Sequence, residues 1–327
     1  MMTRRRAVTA IGILLTRPTA SWAQTVPAVR RIAWFGLGPL DAPSPYLEAL
    51  RAELRDLGWS EGRNLAISRF TSTRTPEDVE TVVREVVAAR PEVVVAQEFA
   101  ALFMLRSQAT LPVVFGFSGD PVEAKLVHSL AHPGTNYTGM SYLASELVGK
   151  RIEFLKEALP HVRRIAILAR PQHPGEHRER AASEEAAQKL GIIVVYFPIR
   201  ETAEIDKAFP VMRQERCDAV VIFPDYVMFR NRDRVARLAI EAKLPAISGW
   251  PAFAESGLLL NFGPNLRDIY RGLARYVNRI LRGAKPEDLP VELPRTVELV
   301  VNMQTARVLG IKIPPAILLR ADQVIDQ

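Results

Sequence analysis

Cysteine is almost missing from this 327-residue chain, and the one present is Cys217. A single thiol forms no internal disulfide and builds no cysteine-based zinc or iron–sulfur site. No uninterrupted apolar run reaches the ~18–20 residues that a membrane-spanning helix needs. A basic surplus is also missing from most of the chain. The formal net charge is +7, but residues 1–23 hold Arg4, Arg5, Arg6 and Arg17 and no acid. Without those four, 39 basic residues face 36 acidic ones, which gives nucleic acid no strongly basic surface to bind. There is no Gly-x-Ser-x-Gly elbow, because Gly116-Phe117-Ser118-Gly119 is one residue short. With no phosphate-binding Gly-Lys-Ser/Thr loop and no cysteine nucleophile motif either, the common enzyme classes have no signature here. What remains is an ordinary globular composition, 48% hydrophobic and 24% charged. At ~100–200 residues per domain, the length suits two units.

The N-terminus reads as an export signal. Arg4-Arg5-Arg6 is a positive start, Ala7–Leu15 is an uncharged apolar stretch too short to span a bilayer, and Ser21-Trp22-Ala23 puts small residues at a cleavage site. Residues 1–23 are therefore expected to be removed between Ala23 and Gln24. The chain is then expected to be exported to the periplasm as a soluble protein. With no cysteine at the cleavage point, no lipid can be attached there.

Beyond that point, apolar strands alternate with amphipathic helices. Arg31–Phe35, Asn64–Phe70, Glu92–Ala96 and Pro112–Phe115 read as strands, with helices over Pro45–Leu57, Pro76–Ala89 and Ala100–Gln108. Asp120-Pro121-Val122-Glu123 has the N-cap, proline and capping-box signature of a further helix start. The pattern resumes with strands at Arg164–Ala169, Ile192–Tyr196, Asp218–Phe223 and Pro245–Ser248. Such alternation predicts an α/β architecture: two doubly wound, parallel-sheet lobes. The tail has too few elements for a third core, so it should complete both lobes, with crossings near 138–141, 256–258 and 284–290.

Chemistry-bearing residues are sparse. Gly36-Leu37-Gly38-Pro39-Leu40-Asp41 follows the first strand, but Asp41 stands where a dinucleotide fingerprint has its third glycine. The loop therefore reads as one that lets the backbone approach a ligand or the other lobe. His128 and His132 are four apart on the expected helix, and His173 and His177 flank a loop; neither pair has a visible third metal ligand. No cofactor or metal is expected. Asp120 is explained by capping, whereas Asp225, between Pro224 and Tyr226, is either a turn aspartate or a ligand contact. Phe99, Phe117, Tyr142, Tyr226 and Trp250 fall near strand ends, where a doubly wound sheet has its crevice. There they either stack on a ligand or pack the lobes together.

Several segments, taken together, resemble one family. Asp56-Leu57-Gly58-Trp59-Ser60-Glu61-Gly62-Arg63-Asn64, Asp120-Pro121-Val122, Pro133-Gly134-Thr135-Asn136-Tyr137-Thr138-Gly139-Met140-Ser141 and Lys150-Arg151-Ile152-Glu153-Phe154-Leu155-Lys156-Glu157 are similar to stretches of the periplasmic substrate-binding proteins of ABC-type importers. The resemblance runs from about Arg30 to Ile325. It implies a type I periplasmic binding protein whose lobes are joined by a three-strand hinge. By analogy lobe one is 29–141 plus 257–285, and lobe two is 142–256 plus 286–327. It further implies a non-catalytic protein that closes on a small-molecule ligand, an amino acid or aromatic compound in some members, and presents it to an ABC permease in the inner membrane. An exported α/β enzyme and a ligand-sensing module are the rival uses of the same cleft. Gln97, Glu98, Phe117, Ser118, Tyr142, His173, Asp225, Tyr226 and Trp250 are the expected ligand-binding residues. Two positions depart from the amino-acid-binding members. Those members tend to place small hydroxyl residues after the third strand, to hold a carboxylate, whereas this chain has Gln97-Glu98-Phe99. Glu98 should repel an anion and favour a cationic or hydroxylated group. After Ala169, where those members often carry an Asn- and Ser-containing loop, it has Arg170-Pro171-Gln172-His173.

Overall fold

The structure, a computed structural model, describes residues 29–37, 44–72, 76–142 and 144–326. The expected export signal and residues 38–41 of the first glycine loop lie outside the described residues. The first lobe is built on β1 (Arg30–Leu37), α1 (Pro45–Asp56), β2 (Leu65–Ser72), α2 (Pro76–Ala88), β3 (Val93–Gln97), α3 (Phe99–Arg106), β4 (Val113–Phe117) and β5 (Tyr137–Ser141). Its sheet runs β2–β1–β3–β4–β5, and every pair is parallel. The inner strands read VVVAQ and VVFGF and are buried at every position, as helices on both faces require.

The chain then crosses to α4 (Ala144–Ala158), β6 (Arg164–Ala169), α5 (Glu176–Lys189), β7 (Ile193–Pro198), α6 (Glu204–Gln214), β8 (Ala219–Ile222), α7 (Tyr226–Arg230), α8 (Arg232–Glu241), β9 (Ala246–Ser248), α9 (Pro251–Glu255) and β10 (Leu260–Pro264). Next, α10 (Leu266–Leu281) returns to the first lobe and packs along α1. Finally β11 (Val297–Asn302), α11 (Met303–Leu309), α12 (Pro315–Leu318) and β12 (Gln323–Ile325) complete the second sheet, in the order β12–β11–β10–β9–β8–β6–β7. The β10–β11 pair is antiparallel, the exception in an otherwise parallel sheet.

The three crossings exist, but two of their positions differ from expectation. β10 pairs on both sides within the second sheet, Leu260 facing Ile247 and Val301, so the crossing lies at 264–266 and not at 256–258. Only α10 of the 257–285 segment belongs to the first lobe. Conversely, residues 289–292 stay beside β5: Thr138 Oγ1 donates to the Leu289 carbonyl at 2.6 Å, and Glu292 N–H donates to Gly139 O at 3.0 Å. Ladder and side-chain bonds thus move that boundary about six residues later than 285–286.

The Asp120 capping signature is satisfied without a helix. Asp120 Oδ1 accepts from Val122 N (2.8 Å) and Glu123 N (2.9 Å), but 121–125 form a turn that ends with Lys125 at φ +60°. His128 and His132 consequently share no helix face. Among the described residues, no helix is long and apolar enough to cross a membrane.

Candidate ligand-binding cleft

In both lobes the C-terminal ends of the parallel strands point at the opposite lobe, which gathers side chains from distant parts of the sequence. The strand β3 delivers Gln97 and Glu98, β4 delivers Phe117 and Ser118, the loop after β6 delivers Arg170 and His173, and the turn after β9 delivers Trp250. Glu98 sits at φ +49°, a conformation rarely adopted by a residue with a side chain, and it is buried. Both oxygens of its carboxyl group lie within 3.3 Å of the Ser118 N–H. Ser118 Oγ is 2.7 Å from Glu98 Oε2 and 2.9 Å from His173 Nε2, so one hydroxyl bridges a carboxyl group of the first lobe and an imidazole of the second. The His173 ring stacks on Phe117 at 5.9 Å and meets the edge of Phe99 at 6.0 Å. Beside it, Asp120 N–H donates to the Pro174 carbonyl at 3.1 Å, and Asp120 pairs with Arg178. The lobes therefore touch directly here.

Burial sets the charge of this contact. The Glu98 carboxyl is pushed up to about 8, chiefly by desolvation; its bonds to Ser118 oppose the shift and the Asp225 charge adds to it. His173 is pushed down to about 4 by the same burial, helped by the nearby Arg170. At neutral pH both groups are uncharged, as a dry interface demands. The order Glu98–Ser118–His173 also differs from a hydrolytic triad, where the imidazole stands between serine and acid.

Asp225 has a different task. Its Oδ1 accepts from Met228 N at 2.7 Å, capping α7, and its Oδ2 lies 3.1 Å from Arg170 Nε. Burial pushes this carboxyl up to about 6, and Arg170 opposes the shift. Tyr226 is the first residue of α7; its side chain lies outside the described residues.

Next to Glu98, a cavity of about 450 Å³ opens between the lobes, within the ~300–1,000 Å³ usual for small-molecule sites. Of the nine expected residues, Gln97, Glu98, Tyr142 and Trp250 line it. Ser118 and His173 line instead a neighbouring interlobe cavity of about 300 Å³. Neither Phe117 nor Asp225 lines the main cavity.

The sequence reading missed Trp34, Tyr46, Arg69, Phe229, Arg232 and Tyr270, which line it too. One wall belongs to the first lobe: Tyr46 stacks on Tyr270 at 5.1 Å, with Trp34 tilted against Tyr270 at 5.4 Å. Across the cavity, Trp250 packs on Phe229 at 5.6 Å and meets Tyr142 edge-on at 6.1 Å. Buried hydroxyls lock the first wall, because Gln97 Nε2 donates to Tyr270 Oη at 2.7 Å and the Tyr142 and Tyr270 hydroxyls lie 3.2 Å apart. Gly36 makes room for this arrangement: a Cβ there would come within 2.8 Å of Gln97 Oε1. Aromatic residues at the start of α1 and on α10 were the available signal, but it needed the knowledge that α10 returns to the first lobe.

Among the described residues no group of three or more His, Cys, Asp or Glu side chains is placed to hold a metal ion. His173 is engaged by Ser118, and His177 lies 3.7 Å from Glu123.

The profile of a family described as ABC transporter substrate binding protein matches residues 41–325. This chain belongs to that family. A tyrosine-binding protein of Clostridioides difficile (strain R20291) is 22% identical over 260 residues, which is 79% of this chain and 74% of that protein. A conserved domain protein of Vibrio cholerae superposes with a TM-score of 0.81 at 29% identity, covering 90% of this chain and 99% of its own. A Streptococcus pneumoniae ABC domain solved in complex with L-Trp gives 0.82 at 26% identity, covering 91% and 100%. The family member described here thus has the type I periplasmic binding fold, with two sheet-based lobes and a cleft between them.

Proposed function

We propose that this chain is the solute-capturing component of an ABC-type import system, holding a small, flat, aromatic molecule between its lobes without altering it. One observation carries the reading: the 450 Å³ interlobe cavity has aromatic walls contributed by both lobes. A flat ligand between such walls would bury apolar area on both faces and bind most tightly when the lobes are shut. The relatives support the class, one being named as tyrosine-binding and one solved with L-Trp. The closed complex would be what an inner-membrane permease recognises after export to the periplasm. A thermal-shift screen of the mature chain against aromatic amino acids, aromatic amines and acids, nucleobases and polyols tests this. Ligand at 100 times its dissociation constant should add about 2.7 kcal/mol of stability. Stabilisation by polyols alone would refute the aromatic reading, and release of a chemically changed product would favour an enzyme.

A further inference from the structure

The neck of the aromatic cavity carries a charge-bearing group that stacking does not use. Glu98 is 97% buried, its relative exposure being 3%, and it lines the cavity. Among the described residues its carboxyl oxygens receive bonds only from Ser118, so each has acceptor capacity beyond those bonds. The groups that face it are Ser118, the Tyr142 and Tyr270 hydroxyls whose ionisation its charge opposes, and Asp225, which repels a second negative charge. Among the described residues, no cation is hydrogen-bonded to Glu98. The two arginines of the cavity, Arg69 and Arg232, are not among the groups that shift the Glu98 carboxyl. Arg232 lies over the Phe229 ring at 4.7 Å.

From this we infer that the cleft selects an aromatic ligand bearing an amine, and that Glu98 is the specificity-determining residue that receives it. The inference rests on the aromatic reading of the cavity and adds the polar end of the ligand. An ammonium group placed there meets a buried carboxyl group with unused acceptor sites and lies against the faces of the aromatic walls, which favour cations. A carboxylate placed there meets Glu98 and Asp225 and no hydrogen-bonded cation. Glu98 stays neutral in the empty cleft because of its burial, and an ammonium partner reverses that preference, so capture expels one proton.

Isothermal titration calorimetry of the mature chain with tyramine and with 3-(4-hydroxyphenyl)propanoate separates the outcomes, since the two differ in the polar group at the end of a similar aromatic body. The expected result is that tyramine binds more tightly, and that Glu98→Gln weakens tyramine by about tenfold or more without weakening the acid. A proton should be released on tyramine binding near pH 7, seen as a heat that depends on the ionisation enthalpy of the buffer, and it should vanish in Glu98→Gln. That readout also separates ligand contact from a merely structural role. If the acid binds and tyramine does not, or if Glu98→Gln leaves tyramine affinity and proton release unchanged, this inference falls and the aromatic reading stands. If neither probe nor any aromatic amino acid binds the wild-type chain, the aromatic reading falls and takes this inference with it.

Discussion

Removing Arg151 should expose how the second lobe holds its part of the cleft. Arg151 and Glu179 are 1% and 3% exposed, and Arg151 Nη1 donates to Glu179 Oε1 at 2.8 Å. Arg151 Nε also donates to the Phe262 carbonyl of β10 at 2.8 Å, and the guanidinium fills the space beneath Gly249, next to Trp250. Arg151→Met keeps the volume but leaves Glu179 buried without its partner, which costs about 3–5 kcal/mol. The loss should depend on pH. Burial raises Glu179 from 4.5 to about 7 with Arg151 beside it, and higher without it. A carboxyl group raised in the fold favours the folded state at low pH, and that advantage is lost as pH climbs from the unfolded value to the folded one. In the wild-type chain the Glu179 contribution levels off near pH 7, whereas in the variant it continues to fall by about 1.4 kcal/mol per pH unit. Denaturant unfolding at pH 5, 7 and 8 measures this as a widening gap between the two chains. The double variant Arg151→Met with Glu179→Leu should recover most of the loss, since a packed apolar pair of similar volume substitutes well for a buried ion pair. A single-variant loss below about 1 kcal/mol, or a gap that does not change with pH, would refute the reasoning.

Trp250→Ala should weaken binding of any aromatic ligand by about tenfold or more, read by calorimetry, because it removes the centre of the second wall. Asp225→Ala should leave affinity nearly intact and lower folding stability by about 1–3 kcal/mol, because it strips the α7 cap and leaves Arg170 facing no carboxylate; a large affinity loss at unchanged stability would place Asp225 in the site instead. Relative to the unfolded chain, burial raises Glu98 from 4.5 to about 8, so its neutral form favours the fold at low pH and that contribution is lost as pH climbs from 4.5 towards 8. Denaturant unfolding should therefore show wild-type stability falling by up to about 1.4 kcal/mol per unit between pH 7 and 8, and Glu98→Gln should remove most of that fall.

Much of the architecture was legible because buried parallel strands write themselves as continuous apolar runs, as Val93–Val95 and Ile165–Ala169 do. Short elements were not: α9 and β12 span five and three residues, too few for a periodicity, and the break between α7 and α8 at Asn231 falls inside one apolar pattern. The helix expected after Asp120 failed for an instructive reason. Capping residues satisfy the first free N–H groups of any tight turn, and Asp120 does so here, yet continuation into a helix depends on residues further on. Membership of β10 in the second lobe was hidden because an apolar strand carries no mark of its partners.

The cleft divides along the same line between local and distant information. Glu98 was conspicuous in the sequence as an acid where relatives of the fold tend to carry hydroxyls, since that judgement needs only one position. Its bridge through Ser118 to His173 was not visible, because it joins loops 55 residues apart, one from each lobe. Tyr46 and Tyr270 are 224 positions apart, and they share a wall because α10 crosses back to lie on α1. Tyr270 is carried by a helix that begins at a hinge crossing, and its hydroxyl lies beside that of Tyr142, the residue that follows β5 at another crossing. Under the proposed function, ligand contacts to these two tyrosines would act beside the hinge crossings, and would couple capture to closure through two hydroxyl groups rather than through a long chain of packed residues.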